Sequence, residues 1–254
     1  KNTSWLKKII ILLGAFYSLF YLIFLVFGIN SQPWSLVFPS SSYHHHLGDY
    51  WILPILIAIA DFGKRKKWQS FLLIATGLVF VAISLSRSAH IALIAGILFI
   101  FFKQKRVKRG HIHLLVLIVA LFFILTGLVK PTLFARPYFF QGAFGVINSP
   151  LGVGMGNFGE ISGNPKNHIW GMDNFSSIAH NIIFEVSAGI GVFVVIFVYW
   201  LFQKIKEVWE VKKGDLAYQA SFVALTVNFL FDTTYFIPTM LWLWFIFLGL
   251  SEEK

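Results

Sequence analysis

The sequence contains no cysteine and few charged residues. The absence of cysteine excludes disulfides, thiolate catalysis and cysteine-ligated zinc. Asp, Glu, Lys and Arg make up 13% of the 254 residues, whereas a soluble domain carries about 25%. This shortage of charge excludes an ordinary soluble domain and favours a protein of the lipid bilayer.

Apolar and aromatic residues dominate instead. Hydrophobic residues make up 57% of the chain and include 29 Phe, a composition that suits lipid-facing surfaces and interfacial belts. The formal net charge is +10, which in a soluble protein would indicate a nucleic-acid partner. Because the Lys and Arg residues cluster in short segments between apolar runs, membrane topology explains them better, and no nucleic-acid partner is expected.

Eight apolar runs predict eight transmembrane helices. A helix needs about 20 apolar residues to cross a bilayer, so two of the runs are short, and the run at 50–62 crosses only if its helix begins near Leu47. The first run is longer than the apolar part of a signal peptide and lacks a cleavage site, which favours a retained helix. The predicted helices are 9–29, 50–62, 68–85, 89–102, 114–129, 181–202, 216–236 and 239–250.

The distribution of basic residues predicts the orientation of these helices, because cytoplasmic loops carry the excess of Lys and Arg. One assignment satisfies every loop and places both termini in the cytoplasm. The basic clusters inside are 64–67, 103–109 and 204–213; the connections outside are 30–49, 86–88, 130–179 and 237–238. The sequence therefore predicts an all-α integral membrane protein, a single domain over 1–254, with one long extracytoplasmic loop at 130–179.

Arg87 is the first candidate site residue, because it lies between two predicted helices at the membrane boundary. An arginine there is costly unless it is hydrated or paired, which makes it a functional candidate. Its planar fork suits a phosphate, so an anionic lipid headgroup is the natural partner. The alternative is an arginine that extends to the interface without a ligand.

Further candidates lie at the same predicted face. His180 opens the helix predicted at 181–202 and could accept a proton, or His180 and Asn181 could only cap that helix. Glu185 lies one turn further on, as a paired helix residue or a base. Asp232, near the outer end of its apolar helix, needs a partner; it could face the same cavity as Arg87 or pair with that arginine.

Two motifs are set aside. His44-His45-His46 with Asp49 suggests a metal site, but consecutive histidines cannot all point one way, so a polar interfacial loop is expected and no metal. The segment 154–159, Gly-Met-Gly-Asn-Phe-Gly, matches the dinucleotide fingerprint without the strand–helix context that fingerprint needs. Its glycines predict a tight backbone turn instead.

Three short blocks occur in order between residues 86 and 191. The first is Ser86-Arg87-Ser88-Ala89, ahead of an apolar helix. The second runs from Arg136 to the segment 150–158, Pro-Leu-Gly-Val-Gly-Met-Gly-Asn-Phe, and the third is His180-Asn181 followed by Gly189 and Gly191. Together they resemble the O-antigen ligase and polymerase family of bacterial membrane glycosyltransferases.

The chain also departs from that family's pattern. Phe140 stands in place of a Trp, one residue is missing between Leu151 and Gly152, and Val194 stands where the ligases prefer a small or hydroxyl residue. These departures leave ligase and polymerase both open. The family usually has ten to twelve helices, so the resemblance implies a few further helices ahead of those predicted here.

The resemblance implies a GT-C-like helical bundle in the bacterial inner membrane with its active face outside. It implies a donor glycan on polyprenyl diphosphate, a glycan or lipid acceptor, and inversion without metal or cofactor. Arg87, Arg136 and Asn181 would bind the diphosphate, and His180 would act on the acceptor hydroxyl. The supporting residues would be Asp232, Glu185, Gly152 and Gly154.

A transporter or flippase for an anionic lipid or solute is the alternative from another class. Such proteins place polar groups and broken helices near the middle of the membrane. This chain concentrates its polar residues at the predicted outer ends of helices, apart from Asp232 and Glu185. That distribution favours chemistry at the membrane surface.

Overall fold

A computed structural model of the chain describes residues 4–27, 45–62, 67–84, 86–104, 137–168, 175–212 and 214–252. All regular secondary structure in these ranges is helical, which confirms the all-α prediction for them. Within these ranges, three segments are long and apolar enough to cross a membrane: Ser4–Ile23, Lys67–Ser84 and Ile182–Glu210. Eight crossings, cytoplasmic termini and a GT-C-like bundle stay predictions.

The described helices form two compact units. The first unit comprises Lys1–Ile100 and Lys204–Lys254, and the second comprises Phe101–Gln203. The helices are α1 (Ser4–Phe27), α2 (His45–Ala60), α3 (Lys67–Ser84), α4 (Arg87–Lys103), α5 (Pro137–Asn148), α6 (Phe158–Gly163), α7 (Ile182–Ile190), α8 (Val194–Glu210), α9 (Leu216–Phe231) and α10 (Pro238–Glu252). Single 3-10 turns lie at Pro165–Asn167, Gly191–Phe193 and Thr234–Phe236.

Helix α2 forms the core of the first unit. Every residue from Leu47 to Ala58 is buried, as expected for a helix that is apolar on all sides. A Cβ atom at Gly77 on α3 would lie 2.5 Å from Ile55, and one at Gly96 on α4 would lie 2.6 Å from Leu56. These two glycines therefore let α3 and α4 approach α2 closely.

An ion-pair cluster fixes one end of this unit. Lys7 on α1 is buried, and its Nζ lies 2.9 Å from a carboxylate oxygen of Asp61 and 2.7 Å from one of Asp215. Asp61 follows α2, and Asp215 also caps the start of α9 by accepting the Ala217 N–H. The cluster places the start of α1, the end of α2 and the start of α9 together.

At the opposite end of the first unit, the turn before α4 and the turn after α9 meet near the start of α2. Asp49, one turn into α2, contacts Ser86 before α4 and Thr234 after α9. Asp49 and Asp61 are twelve residues apart, or about 18 Å along a helix. This two-ended arrangement agrees with the predicted alternation of the loops; the side that faces the cytoplasm stays a prediction.

Several predicted helix ends in this unit need correction. The helix predicted at 50–62 runs from His45 to Ala60. It is one of the shorter apolar helices, and its crossing of the membrane stays a prediction. The helix predicted at 216–236 ends at Phe231, because Asp232 is extended and its carboxylate accepts the Thr233 N–H. The last helix begins at Pro238, where the missing N–H of proline costs nothing.

In the second unit, the described part of the predicted loop 130–179 is folded. It contains α5 and α6, and a Cβ atom at Gly142 would meet Phe184 while one at Gly145 would meet Ile161. Helix α5 therefore packs closely against both α6 and α7. The predicted helix 114–129 and Arg136 lie outside the described residues.

The helix predicted at 181–202 is divided in two, although Ile182–Glu210 as a whole is a candidate membrane span. Helix α7 ends at Ile190, and Gly191 caps it with φ of 59°, a left-handed conformation that favours glycine. After the 3-10 turn, α8 continues to Glu210, well beyond the predicted end. The glycines of the third sequence block therefore mark a break in the apolar segment.

Candidate functional site

Arg87 is the first residue of α4, and its side chain is exposed. Among the described residues its guanidinium has no hydrogen bond or ion pair. Ser86 and Ser88 on either side are buried. The turn thus directs its hydroxyls inward and leaves the arginine fork accessible to an anion.

The two serines belong to a hydrogen-bond network. Ser88 Oγ donates to Asp232 at 2.5 Å, and Ser86 Oγ lies 2.9 Å from Ser88 Oγ and 3.3 Å from Asp49 Oδ1. Each hydroxyl has one hydrogen. Because the hydrogen of Ser88 goes to Asp232, the hydrogen of Ser86 is shared between Ser88 and Asp49.

Asp49 is the centre of this network and is fully buried. Its Oδ1 accepts from Asn228 Nδ2 at 2.7 Å, and its Oδ2 accepts from Thr234 Oγ1 at 2.9 Å and lies 3.2 Å from His46 Nδ1. A carboxylate has about four lone-pair positions, so these contacts and Ser86 satisfy it. One side chain thereby ties together α2, the turn before α4, α9 and the turn after α9.

The predicted polar interfacial loop at His44-His45-His46 and Asp49 is wrong for the last two of these residues. Helix α2 begins at His45 and buries both His46 and Asp49; His44 lies outside the described residues. Asn228 and Thr234 were not predicted to take part, although an amide and a hydroxyl near the end of an apolar helix are a signal of a polar partner.

The described residues argue against one of the two alternatives predicted for Asp232, the structural pair with Arg87. Asp232 follows the last residue of α9, is half-buried, and accepts the Ser88 hydroxyl. Within the described residues it forms no ion pair with Arg87. That Asp232 faces the same cavity as Arg87 stays a prediction.

A second group of candidates surrounds α7. Val153 N–H donates to Ala188 O at 2.7 Å, Gly154 N–H donates to Gly189 O at 3.1 Å, and Val192 N–H donates to Pro150 O at 2.9 Å. The last carbonyls of a helix have no partner within it. Here the glycine loop, residues 150–156, supplies partners at the break after α7.

Two glycines make that approach possible. Gly152 has φ of 80°, and a Cβ atom on it would collide with the Gly189 carbonyl. Gly191 has φ of 59°, and a Cβ atom there would collide with the Pro150 carbonyl. The second and third sequence blocks are therefore joined backbone to backbone, which the one-dimensional motif pattern does not reveal.

His180 precedes α7 in an unusual conformation. It is half-buried with φ of 52°, and it is the one non-glycine residue with positive φ among the described residues. Strain of this kind costs about 1–3 kcal/mol and persists only where the surroundings enforce it. Such a residue is a candidate for function.

The residues next to His180 enforce its conformation. Asn181 Oδ1 caps α7 by accepting the N–H groups of Ile183 at 2.8 Å and Phe184 at 3.2 Å. Glu185 is buried, and its Oε2 accepts the Ala179 N–H at 3.0 Å. Asn181 thus has the capping role and Glu185 the paired role that were weighed from sequence.

Helix α6 supports the chain just before His180. Phe158 and Ile161 on α6 form an apolar cluster with Ala179 and Ala188. Ser162 Oγ donates to Ser176 O at 2.5 Å and accepts the Ser176 N–H at 3.1 Å. His180 is therefore held from α6 on one side and from α7 on the other.

The predicted site residues divide between the two units. Arg87 and Asp232 belong to the first unit; Gly152, Gly154, His180, Asn181 and Glu185 belong to the second; Arg136 lies outside the described residues. No protein-family model, curated protein or solved structure matches the chain. The sequence blocks and this geometry are therefore the observations that bear on function.

Replacing Asp49 tests the buried network. Asp49→Ala leaves the donors of Asn228 and Thr234 buried without their acceptor, and we expect a loss of about 3 kcal/mol in the free energy of unfolding. That loss corresponds to a thermal midpoint lower by about 6–12 °C, measured by tryptophan fluorescence of purified protein in detergent. The control is Ser70→Ala, since the buried Ser70 hydroxyl has no partner in the described structure; a similar shift in both variants would contradict the role of Asp49.

Gly152 and Gly156 form a matched pair, because both have φ of 80° but only Gly152 lies against another backbone segment. Gly156→Ala should cost about 1–2 kcal/mol for its left-handed conformation alone. Gly152→Ala should cost roughly 1–3 kcal/mol more, since its new methyl group would overlap Gly189 O. Thermal unfolding of the two variants measures the difference, and equal midpoints would mean that the glycine loop does not constrain α7.

Proposed function

We propose that the chain is a membrane glycosyltransferase of the O-antigen ligase and polymerase type. It transfers a glycan from polyprenyl diphosphate to an acceptor at the outer face of the bacterial cytoplasmic membrane. The observation that carries this proposal is the joining of two of its three sequence blocks in one unit. The glycine loop holds the break after α7, and the strained His180 stands at the start of the same helix.

The proposed reaction is a substitution at the anomeric carbon of the donor. The acceptor hydroxyl oxygen forms the new glycosidic bond, the bond from that carbon to the phosphate oxygen breaks, and polyprenyl diphosphate leaves. Its departure needs stabilisation of growing negative charge, and fixed cationic donors supply it best. Arg87 has this role, because its fork is exposed and free of protein partners in the described structure; Arg136 is proposed to assist.

His180 is proposed to orient the acceptor hydroxyl and to take its proton. An imidazole can accept a proton near neutral pH, and a general base must be held at a defined distance from that proton. The cap at Asn181 and the Glu185 contact to Ala179 fix the backbone on both sides of His180. Asn181 Oδ1 is engaged in the cap, and binding of the diphosphate by Asn181 is part of the proposal.

The polymerase reaction and the ligase reaction differ in their acceptor. A polymerase adds repeat units to a growing lipid-linked glycan, whereas a ligase moves the finished chain to a different lipid or surface polymer. The donor chemistry at Arg87 and His180 is the same for both. The proposal therefore covers both reactions and leaves their separation to the glycan products.

A transporter for an anionic lipid is the second candidate, and the broken segment Ile182–Glu210 is the observation in its favour. Transporters use such breaks to expose backbone groups to a substrate. In this chain the carbonyls of Ala188 and Gly189 already accept N–H groups from the glycine loop. Because these carbonyls are bonded within the protein, the break is better suited to support the site than to bind a substrate.

Cells that carry Arg87→Ala or His180→Ala test the proposal. We expect each variant to accumulate polyprenyl-linked glycan and to lose surface glycan at least about tenfold, because removing one charge-stabilising group or general base typically costs 10²–10⁴-fold in rate. The two pools are resolved side by side on gels, with the protein level measured. Single repeat units on the acceptor would identify a polymerase, and long chains left on the carrier would identify a ligase.

Matched controls separate chemistry from folding. Lys166→Ala removes an exposed cation from the second unit, and His168→Ala removes another half-buried histidine there, whose Nε2 contacts the Ser162 carbonyl. Both should retain surface glycan. Normal glycan in the Arg87 and His180 variants would contradict the assigned roles and bring the transporter forward.

A further inference from the structure

Three apolar residues of the second unit are exposed in the glycine loop or just before it. Ile147 at the end of α5 is 71% exposed, Leu151 in the loop is 75% exposed, and Met155 is 61% exposed. We call these three residues the apolar rim. Large exposed apolar groups clustered on one edge mark an interaction surface.

The apolar rim adjoins the place where the candidate span becomes exposed. No residue of α7 is exposed, whereas exposure begins at Val192, directly after the break. Val192 N–H is bonded to Pro150 O, next to Leu151, and Met155 lies against Gly189. The exposed apolar residues that follow are Phe193, Val195, Ile196, Val198, Tyr199 and Phe202.

The apolar rim lies in residues 137–159, a segment whose composition suits contact with lipid better than exposure to water. Residues 137–159 contain no Asp, Glu, Lys or Arg, and the first charge after them is the exposed Glu160. A water-exposed loop of this length would normally carry charged side chains. Apolar residues on an uncharged edge beside a spanning helix are instead typical of segments that lie in the membrane interface.

We propose that the apolar rim inserts into the lipid leaflet at the Gly191 end of α8. The occupant of this surface is the acyl-chain region of the bilayer, continuous with the lipid around α8. Insertion of about 5–10 Å into the boundary between the headgroups and the acyl chains is the depth expected for an interfacial segment. The glycine loop, and with it α7, is then held at the level where the headgroup of a lipid-linked substrate lies.

This inference does not depend on glycosyl transfer. It requires only that the segment Ile182–Glu210 crosses the membrane, as its length and apolar character allow. A failure of the enzymatic proposal would therefore leave it intact. A failure of the rim to meet lipid would likewise leave the roles of Arg87 and His180 to be tested separately.

The absence of cysteine allows a direct depth measurement. Leu151→Cys, Met155→Cys and Ile147→Cys are each labelled with a polarity-sensitive nitrobenzoxadiazole dye and reconstituted in phosphatidylcholine and phosphatidylglycerol vesicles. Quenching is compared between aqueous iodide, lipids with a nitroxide near the headgroup, and lipids with a nitroxide near the chain end. Ile196→Cys, exposed on α8, reports lipid, and Lys166→Cys, exposed in the same unit, reports water.

The proposal predicts blue-shifted emission at Leu151 and Met155, with strongest quenching by the shallow nitroxide and little by iodide. Ile147→Cys gives an independent reading if one of the loop variants fails to fold. Quenching by iodide as strong as at Lys166 would overturn the proposal by placing the rim in water. Protection from all three quenchers would also overturn it, because a protein partner would then cover the rim. Loss of lipid quenching at Ile196 would show that the span itself is wrong, and the rim proposal would fall with it.

Discussion

The buried carboxylate of Asp49 is the constraint on which the first unit depends. A carboxyl group can stay in an apolar interior only where hydrogen-bond partners replace the water it has lost. For Asp49 those partners come from Ser86, Asn228 and Thr234 as well as from His46 on its own helix. Three other segments must therefore meet at the start of α2. The inward direction of Ser86 and Ser88, and with it the outward exposure of Arg87, follows from that requirement.

The second unit solves a related problem at the break after α7. A helix that ends inside apolar surroundings leaves carbonyls without partners. The glycine loop supplies N–H groups to two of them, and it can come so near only because residues 152 and 191 lack side chains. The same helix begins at the Asn181 cap beside His180. One short helix is thus fixed at both ends, and the candidate base is held with it.

Sequence reasoning was accurate where a pattern depends on local chemistry. The capping alternative at Asn181 and the tight turn at the 154–159 glycines needed only short-range rules. It failed where distant contacts decide. Asp49 joined α2 because partners far along the chain satisfy it, and Asp232 ended α9 early because it bonds Thr233 and Ser88. The break at Gly191 was missed because an apolar run of that length favours continuity, while the loop that caps it precedes it by about forty residues.

We propose that glycosyl transfer from a polyprenyl-diphosphate donor requires both Arg87 and His180. A test of this proposal uses purified protein in vesicles that contain a polyprenyl-diphosphate-linked oligosaccharide and an acceptor. We expect release of free polyprenyl diphosphate in step with glycan transfer, and loss of that release in Arg87→Ala and in His180→Ala. Donor that stays intact, or that crosses the bilayer without cleavage, would contradict the proposed function.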